Sequence, residues 1–299
     1  MAKSRVVIIR AEKVLTAAGQ PETGQLLRMY KRGFELLQEE RNGKAALLSI
    51  FQPDDRVGIK INTIGGRAIS TRPEVSLALA EWFNANGLGG SNLLVWDRTN
   101  RELREAGYRL ASERSGVRVF GTDADGVGYE KDLASHLNIG SLFSKIQTAF
   151  ATATVSLAIL KDHGLAGVTA GMKNYFGAIH NPNKYHDTHC DPFVAELFDT
   201  PAVRSKHRLT ILDCLTVQYH KGPSFHPQWA EKYQGLILSR DPVAADRVGW
   251  SLIERLRAAK GLPSLKEEGR EPTYLATAER MGLGRADLRE IEVVEEAVS

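Results

Sequence analysis

Residues 154–163 of the chain read TVSLAILKDH. Its first seven residues, 154–160, form a nearly continuous apolar run, which is typical of a strand that is covered on both faces. Three ionisable residues, Lys161, Asp162 and His163, follow directly. The stretch therefore predicts a buried strand of a largely parallel sheet, with ligand-binding side chains at its carboxyl end.

Similar short runs rich in valine, isoleucine and leucine recur before and after this stretch, with helix-like segments between them. Pro73 and Gly87 bracket one such segment, and Asp241 with Pro242 marks the start of another. Because parallel strands need crossover connections, this alternation favours an α/β fold. We predict a largely parallel sheet with helices on both faces and a loop-rich insertion around 165–190. The other apolar runs lie at 5–10, 56–62, 92–97, 117–120, 208–214, 235–239 and 290–294.

The length of the chain bounds its domain organisation. A chain of 299 residues can form one large domain or two ordinary ones with a sizeable core. We predict a single composite α/β domain over residues 1–299. The alternative is two lobes divided near 121–131, where the chain is rich in glycine and aspartate.

The composition excludes several classes of protein. The 39 lysines and arginines nearly balance 36 aspartates and glutamates and form no basic run, so a nucleic-acid partner is not expected. Two cysteines, Cys190 and Cys214, are too few for a disulfide scaffold or for a cysteine-ligated iron–sulfur cluster in this chain. No apolar stretch approaches 18 residues, so no membrane span is expected.

The amino-terminal residues bear on localisation. Residues 1–10 lack the apolar region of a signal peptide, so we expect a cytoplasmic protein. The alternative is an exported protein whose N-terminal signal has been removed. The composition leaves a homo-oligomer open.

Polar residues occur where the predicted strands end. In an open parallel sheet, the carboxyl ends of the strands form the ligand-binding edge. Lys60 is informative because a lysine between Ile59 and Ile61 needs either a partner or an anionic ligand. A structural ion pair is the alternative for Lys60, and helix capping is the alternative for Asp97 and Asp241. The predicted substrate-binding residues are Lys60, Asn62, Asp97, Asn174 and Asp241.

The densest polar signal lies in the loop-rich run at 160–192. Seven of the eight histidines fall within residues 163–226, where a uniform scatter gives about two. Lysines or histidines that titrate near neutral pH can move a proton next to a carboxylate. We therefore predict Lys161, His163 and Lys173 as catalytic residues.

A pair of histidines in the same run gives a second chemistry. His186 and His189 are spaced as His-x-x-His, and His163 or Asp191 would complete a metal-binding set. The cofactor in that case is a divalent transition metal. A metal is therefore predicted as an optional aid to proton transfer rather than as its replacement.

Four blocks of the sequence stand out together. They are DRVGIKIN at 55–62, VWDR at 95–98, LKDH at 160–163 with GVT at 167–169 and KN at 173–174, and SRDPVAAD at 239–246. This combination resembles the domain-of-unknown-function family three-six-two, over roughly residues 50–285. Because that family is largely uncharacterised, the resemblance implies one shared site rather than a reaction. The implied positions are Lys60, Asn62, Asp97, Lys161, His163, Lys173, Asn174 and Asp241.

The residues suggest two functions, and the resemblance suggests a third. The leading hypothesis is an enzyme that acts on a small carboxylate or other anionic substrate by lysine and histidine proton transfer, metal-assisted or not, as an isomerase or lyase does. One alternative is a non-catalytic protein that binds a metal or an anionic cofactor. The other is a redox accessory protein, which the resemblance implies because some family members carry a ferredoxin-like cysteine module.

Overall fold

The structure is a computed structural model that describes residues 3–113 and 115–299. Its strands are β1 (Ser4–Arg10), β2 (Val57–Ile61), β3 (Leu93–Trp96), β4 (Arg118–Val119), β5 (Ala134–His136), β6 (Ile139–Ser141), β7 (Ala153–His163), β8 (Gly167–Thr169), β9 (His207–Gln218), β10 (Ala230–Glu231), β11 (Gly235–Ser239) and β12 (Ile291–Ala297). Within the described residues, ten of these strands form one sheet, and β5 pairs with β6 outside it. The main row of the sheet runs β12, β1, β11, β9, β7, β2, β3, β4, with β10 beside β9 and β8 beside β7.

The sheet is mixed but mostly parallel. The strand β7 lies between β9 and β2 and runs parallel to both, and β3 and β4 continue the parallel order. The strand β11 differs, because it runs antiparallel to both of its neighbours, β9 and β1. The predicted α/β fold with a largely parallel sheet is confirmed.

Helices cover both faces of the sheet. They are α1 (Thr23–Gln38), α2 (Gly43–Leu48), α3 (Pro73–Ala85), α4 (Asn100–Glu105), α5 (Phe193–Asp199), α6 (Pro201–Arg204), α7 (Pro242–Ala259) and α8 (Tyr274–Arg280). Because strand side chains alternate between faces, Val7 and Ile9 of β1 join a core under α1 and α3. Val6 and Ile8 join a second core under α5, α7 and α8. The two cores explain why the central strands carry apolar residues on both faces.

The central strand β7 is longer than the predicted run at 154–160. Its last three residues pair with β8, which folds back antiparallel beside them. Lys161, Asp162 and His163 therefore lie within a strand rather than after one. Alternation places Lys161 and His163 on one face and Asp162 on the other, where its carboxylate pairs with Arg270. Lys161 and His163 therefore share one face of the sheet, whereas Asp162 makes an ion pair on the other face.

The predicted loop-rich insertion is also confirmed. It contains β8 and three short 3₁₀ segments, Lys173–Ala178, Pro182–Tyr185 and Asp187–Cys190. The first of these segments lies against β7 and β2 and carries lysine and asparagine side chains to the sheet edge.

The single domain over residues 1–299 stays a prediction, and strands from both sides of 121–131 belong to the same sheet. Across residues 3–113 and 115–299, none of the helices combines the length and the apolar character needed to cross a bilayer.

Candidate functional site

A cavity of about 320 Å³ lies at the carboxyl edge of the parallel strands β2, β3 and β7. Eight of the ten site residues predicted from the sequence line it, whereas Asp241 and His189 do not. The eight are Lys60, Asn62, Asp97, Lys161, His163, Lys173, Asn174 and His186.

Lys60 and Asp97 form a buried ion pair on one side of the cavity. Lys60 Nζ lies 2.6 Å from Asp97 Oδ1, and the two residues are 1% and 2% exposed. The other donors of the ammonium group reach the backbone oxygen of Ile61 and the Oδ1 atom of Asn174. Since all three donors of Lys60 have partners, this lysine fits the structural ion pair that the sequence left as the alternative.

The Asp97 carboxylate is held from several directions. Thr63 donates to Oδ2 through both its backbone nitrogen and its hydroxyl, each at 2.7 Å, and the Arg98 nitrogen donates to Oδ1 at 2.8 Å. Gly177 passes so close that a Cβ atom there would lie 2.6 Å from Lys60 Nζ and 2.8 Å from Asp97 Oδ1. The absence of a side chain at Gly177 is therefore what lets the insertion pack over the ion pair.

Lys161 lies in the same cavity but makes no ion pair with any described residue. Its Nζ donates to the backbone oxygens of Ile64 and Ile69 at 2.9 and 3.1 Å, and the residue is 1% exposed. Burial, reinforced by the charge of Lys173, lowers the pKa of Lys161 from 10.5 to about 8. Lys161 therefore populates both its amine and its ammonium form close to neutral pH.

Lys173 is the second buried lysine that makes no ion pair within the described chain. Its Nζ lies 3.1 Å from His186 Nε2 and 4.7 Å from the centre of the Phe176 ring. Burial lowers the pKa of Lys173 from 10.5 to about 8. The cavity thus holds two lysines, Lys161 and Lys173, whose pKa values burial lowers to about 8.

His186 is fixed in one tautomer by its second contact. Its Nδ1 lies 3.1 Å from the backbone oxygen of Pro182, and a carbonyl oxygen can only accept. The hydrogen is therefore on Nδ1, and Nε2 is the acceptor that faces Lys173. Burial and the charge of Lys173 lower the pKa of His186, so the ring stays neutral. The Lys173 amine, the His186 imidazole and the Pro182 carbonyl are thus connected by two consecutive hydrogen bonds.

Backbone contacts fix the tautomer of His163, whose predicted catalytic role stays a prediction. The backbone nitrogens of Leu165 and Ala166 donate to its Nδ1 at 3.2 and 3.1 Å, so the hydrogen is on Nε2. Burial, together with the charge of Lys173, lowers the pKa of His163 from 6.5 to about 2. Within the physiological range, the His163 ring is therefore neutral, and its Nε2 can donate a hydrogen bond.

Several lining residues were absent from the predicted set. Arg98 directly follows Asp97 at the strand end, which is a signal that the sequence offered. Its Nη2 lies 3.9 Å from Glu102 Oε1, so this charge is partly balanced. Phe176 gives the cavity an apolar wall, and no sequence pattern distinguished it from a core residue.

Asp246 anchors the segment that precedes Lys173, although it does not line the cavity. Its two carboxylate oxygens accept from the backbone nitrogens of Gly171 and Met172 at 2.7 and 3.0 Å, and from the Tyr274 hydroxyl at 3.3 Å. Burial raises the pKa of Asp246 from 3.8 to about 7. This carboxylate ties the insertion to α7 and so fixes where the Lys173 side chain begins.

Asp241 lies outside the cavity because of the direction of its strand. The prediction placed it at the carboxyl edge, but β11 is antiparallel to its neighbours and ends at the opposite edge. There, Asp241 caps α7 by accepting from the backbone nitrogen of Ala244 at 2.9 Å and also accepts from that of Arg285. The substrate-binding role predicted for Asp241 has no support in this arrangement.

The predicted metal ligands His186 and His189 lie in different surroundings. His189 is exposed, does not line the cavity, and its Nδ1 lies 3.0 Å from the backbone oxygen of Leu165. Both ring nitrogens of His186 already have partners. In the described part of the chain, no group of three or more histidine, cysteine, aspartate or glutamate side chains is placed to hold a metal ion. A metal on His186 and His189 therefore stays a prediction without a geometric basis.

Comparisons with known proteins place the chain in a family. No curated protein matches it. A crystal structure of a Thermotoga maritima protein is similar, with 9% sequence identity and a TM-score of 0.44 over 78% of this chain and 59% of that one. This chain therefore spans about 59% of the length of that protein. The family described as Domain of unknown function (DUF362) matches residues 57–251, which is more than half of the chain, and the chain belongs to that family.

Proposed function

We propose that this chain is an enzyme that binds a small carboxylate or another small anion in the cavity and moves a proton on it through lysine amines. The reaction class is that of an isomerase or a lyase, in which a proton is taken from carbon or returned to it. One observation carries the proposal. Lys161 and Lys173 are buried in the same cavity, have no carboxylate partner among the described residues, and have pKa values of about 8.

The two lysines favour an anion as the ligand. A buried ammonium group without a counter-ion is costly, and each of these cations disfavours the charged form of the other. A bound carboxylate would offset both effects and raise the pKa of both amines. Lys60 supplies no such attraction because Asp97 already neutralises it.

The same lysines suit proton transfer. A general acid or base works best when its pKa lies near the operating pH, because both protonation states are then populated. Two N–H bonds of Lys161 point to backbone oxygens, which leaves one position on the nitrogen for a substrate proton. His163 Nε2 adds a neutral donor that can hold an oxygen of the substrate.

The dimensions of the cavity agree with a small substrate. A volume of about 320 Å³ lies at the lower end of the range of roughly 300 to 1,000 Å³ that small-molecule sites occupy. Ile64, Phe176 and Pro223 supply apolar walls beside the charged groups. An anionic compound of a few carbon atoms fits this combination of size and polarity.

Hydrogen exchange at carbon tests the proposal directly. The protein in deuterium oxide is incubated with propionate, lactate, malonate and pyruvate, and proton NMR follows the hydrogen next to each carboxylate. We expect exchange in at least one acid, and a loss of about 10²-fold or more in Lys161→Met and in Lys173→Met.

Lys206 offers a matched control. It also donates to two backbone oxygens, those of Gln147 and Thr148, and burial lowers its pKa, but it lies outside the cavity. Lys206→Met should retain full exchange. Binding of an acid without exchange contradicts the enzyme and favours the non-catalytic anion-binding protein. Absence of both binding and exchange contradicts the anion site itself.

A further inference from the structure

We infer that Lys173 forms a Schiff base with the carbonyl carbon of a small 2-oxo acid, and that His186 is the base that activates its amine. This inference rests on the proposed function and adds to it the substrate class and a covalent step. The observation behind it is a chain of two hydrogen bonds. One joins Lys173 Nζ to His186 Nε2, and the other joins His186 Nδ1 to the backbone oxygen of Pro182.

This hydrogen-bonded chain has the geometry of an activated nucleophile. Such sites place the nucleophile and a base within hydrogen-bond reach, at about 2.6 to 3.2 Å, with a third group orienting the base. Lys173 Nζ and His186 Nε2 are 3.1 Å apart, and the Pro182 oxygen, 3.1 Å from Nδ1, fixes the tautomer that leaves Nε2 free to accept. The neutral amine of Lys173 is accessible near neutral pH because burial disfavours its charged form.

The surroundings distinguish Lys173 from the other lysines of the cavity. Lys60 is locked in an ion pair, and Lys161 faces two backbone oxygens, which cannot take a proton. Lys173 is the lysine of the cavity whose hydrogen-bond partner is itself a base. His163 Nε2, a neutral donor in the same cavity, is then left to hold an oxygen of the carboxylate, and Lys161 stays available for proton transfer.

The covalent step balances without any added reactant. The Lys173 ammonium loses a proton to His186 Nε2, and the nitrogen lone pair attacks the carbonyl carbon while the carbonyl π electrons move to oxygen. His186 returns that proton to the oxygen, and a second proton moves from the nitrogen to the oxygen in the same way. The carbon–oxygen bond breaks and water leaves. The product is a protonated imine that keeps one hydrogen on nitrogen and the single positive charge.

The imine explains why a second lysine of lowered pKa belongs in the cavity. A protonated imine draws electrons from the neighbouring carbon and so acidifies the hydrogens there. The Lys161 amine lines the same cavity, and its depressed pKa lets it act as the base that takes one of them near neutral pH. The covalent step and the proton transfer therefore use two different lysines.

Reductive trapping tests the inference on the intact protein. Wild-type protein is mixed with pyruvate and sodium borohydride, and the modified lysine is mapped by peptide mass spectrometry. We expect one reduced adduct on Lys173, far above any on Lys206 or on surface lysines. His186→Asn should lower the initial trapping rate by about 10²-fold, because a general base contributes roughly that much.

The controls separate the carboxylate, the carbonyl and the fold. Acetone has the carbonyl without the carboxylate and should give at least tenfold less adduct, whereas Lys206→Met should give the wild-type yield with pyruvate. Equal trapping of acetone overturns the 2-oxo acid, and an adduct on Lys161 or on surface lysines alone overturns the role of Lys173.

One further outcome distinguishes this inference from the proposed function. If pyruvate gives no adduct while lysine-dependent exchange of propionate or lactate persists, the Schiff base is overturned and the proton-transfer function stands. If neither trapping nor exchange occurs, both are overturned.

Discussion

The cavity has two halves that both contain buried lysines. The lysine of one half is ion-paired, and the two lysines of the other half make no ion pair with any described residue. On one side, Lys60 is buried against Asp97, and all three donors of its ammonium group have partners. On the other side, Lys161 and Lys173 are also buried but have only neutral partners, and the pKa of each falls to about 8. The difference is a single carboxylate, which pairs with Lys60 and has no counterpart beside Lys161 or Lys173 among residues 3–113 and 115–299.

This difference distinguishes Lys60, which has a structural ion-pair partner, from Lys161 and Lys173, which we propose as ligand-binding groups. A buried ion pair that is fully hydrogen-bonded stabilises a structure only while both partners are present. A buried lysine without a counter-ion weakens the fold, and such destabilised groups are typical of functional sites. The paired side should therefore respond to mutation through stability, and the unpaired side through ligand binding and pH.

The largest expected effect is on the paired side. Asp97→Ala leaves the Lys60 charge buried without a counter-ion and should lower the free energy of unfolding by about 3 to 5 kcal/mol in urea denaturation. Glu105→Ala, which removes the exposed partner of Arg101, is the matched control and should change it by less than about 1 kcal/mol. Equal effects for the two variants would contradict a structural role for the Lys60–Asp97 pair.

On the unpaired side, Lys173 should make the stability of the protein depend on pH. The pKa of Lys173 is about 8 in the folded protein and 10.5 in the reference state, so the unfolded chain binds more protons between these pH values. Wild-type stability should rise there with pH, by on the order of 3 kcal/mol for this lysine, and Lys173→Met should lack that rise. Below the folded pKa, Lys173 adds no slope. Denaturation curves of both proteins at about pH 7 and about pH 10 measure this rise in the free energy of unfolding. An equal rise in wild type and in Lys173→Met would contradict the prediction.

Asp246 provides a smaller effect that acts through the insertion. Asp246→Asn keeps one acceptor oxygen where the segment before Lys173 needs two, so the free energy of unfolding should fall by about 1 to 3 kcal/mol. Tyr274→Phe removes only the 3.3 Å contact from the same carboxylate and should have a smaller effect. The opposite order would show that Asp246 does not anchor this segment.

The smallest expected effect is a fraction of a proton. An anion bound between Lys161 and Lys173 raises the pKa of both, so binding above about pH 8 should take up protons, whereas binding well below it should not. Propionate is a suitable probe because it has a carboxylate and no carbonyl. Calorimetry in buffers of different ionisation enthalpy measures the uptake, and a value that does not change with pH would argue against these lysines as the binding groups.

Much of this site could be predicted from the sequence because parallel strands share a carboxyl edge. Lys60, Asp97 and Lys161 come from three separate strands, and the rule that ligands bind at strand ends brings them together correctly. The alternation of a strand also explains how Lys161 and His163 reach the same cavity. These inferences needed only apolar runs and the residues at their ends.

The rest depended on information that local patterns do not contain. Asp241 follows an apolar run like the others, but the direction of β11 is set by its long-range pairing with β1 and β9. The role of His163 follows from two backbone nitrogens beyond the strand, which occupy Nδ1. Asp246 lies within a helix and acts on a segment about 75 residues earlier, a separation that periodicity cannot span.

Lys161 and Lys173 should titrate well below the ordinary lysines of the chain. The most direct measurement is an NMR pH titration of the side-chain nitrogens in protein with ¹⁵N-labelled lysine. Two signals should titrate near pH 8, one missing from Lys161→Met and the other from Lys173→Met, and both should move to higher pH when propionate is added. The account is contradicted if every lysine titrates above about pH 10, near the ordinary value for this side chain.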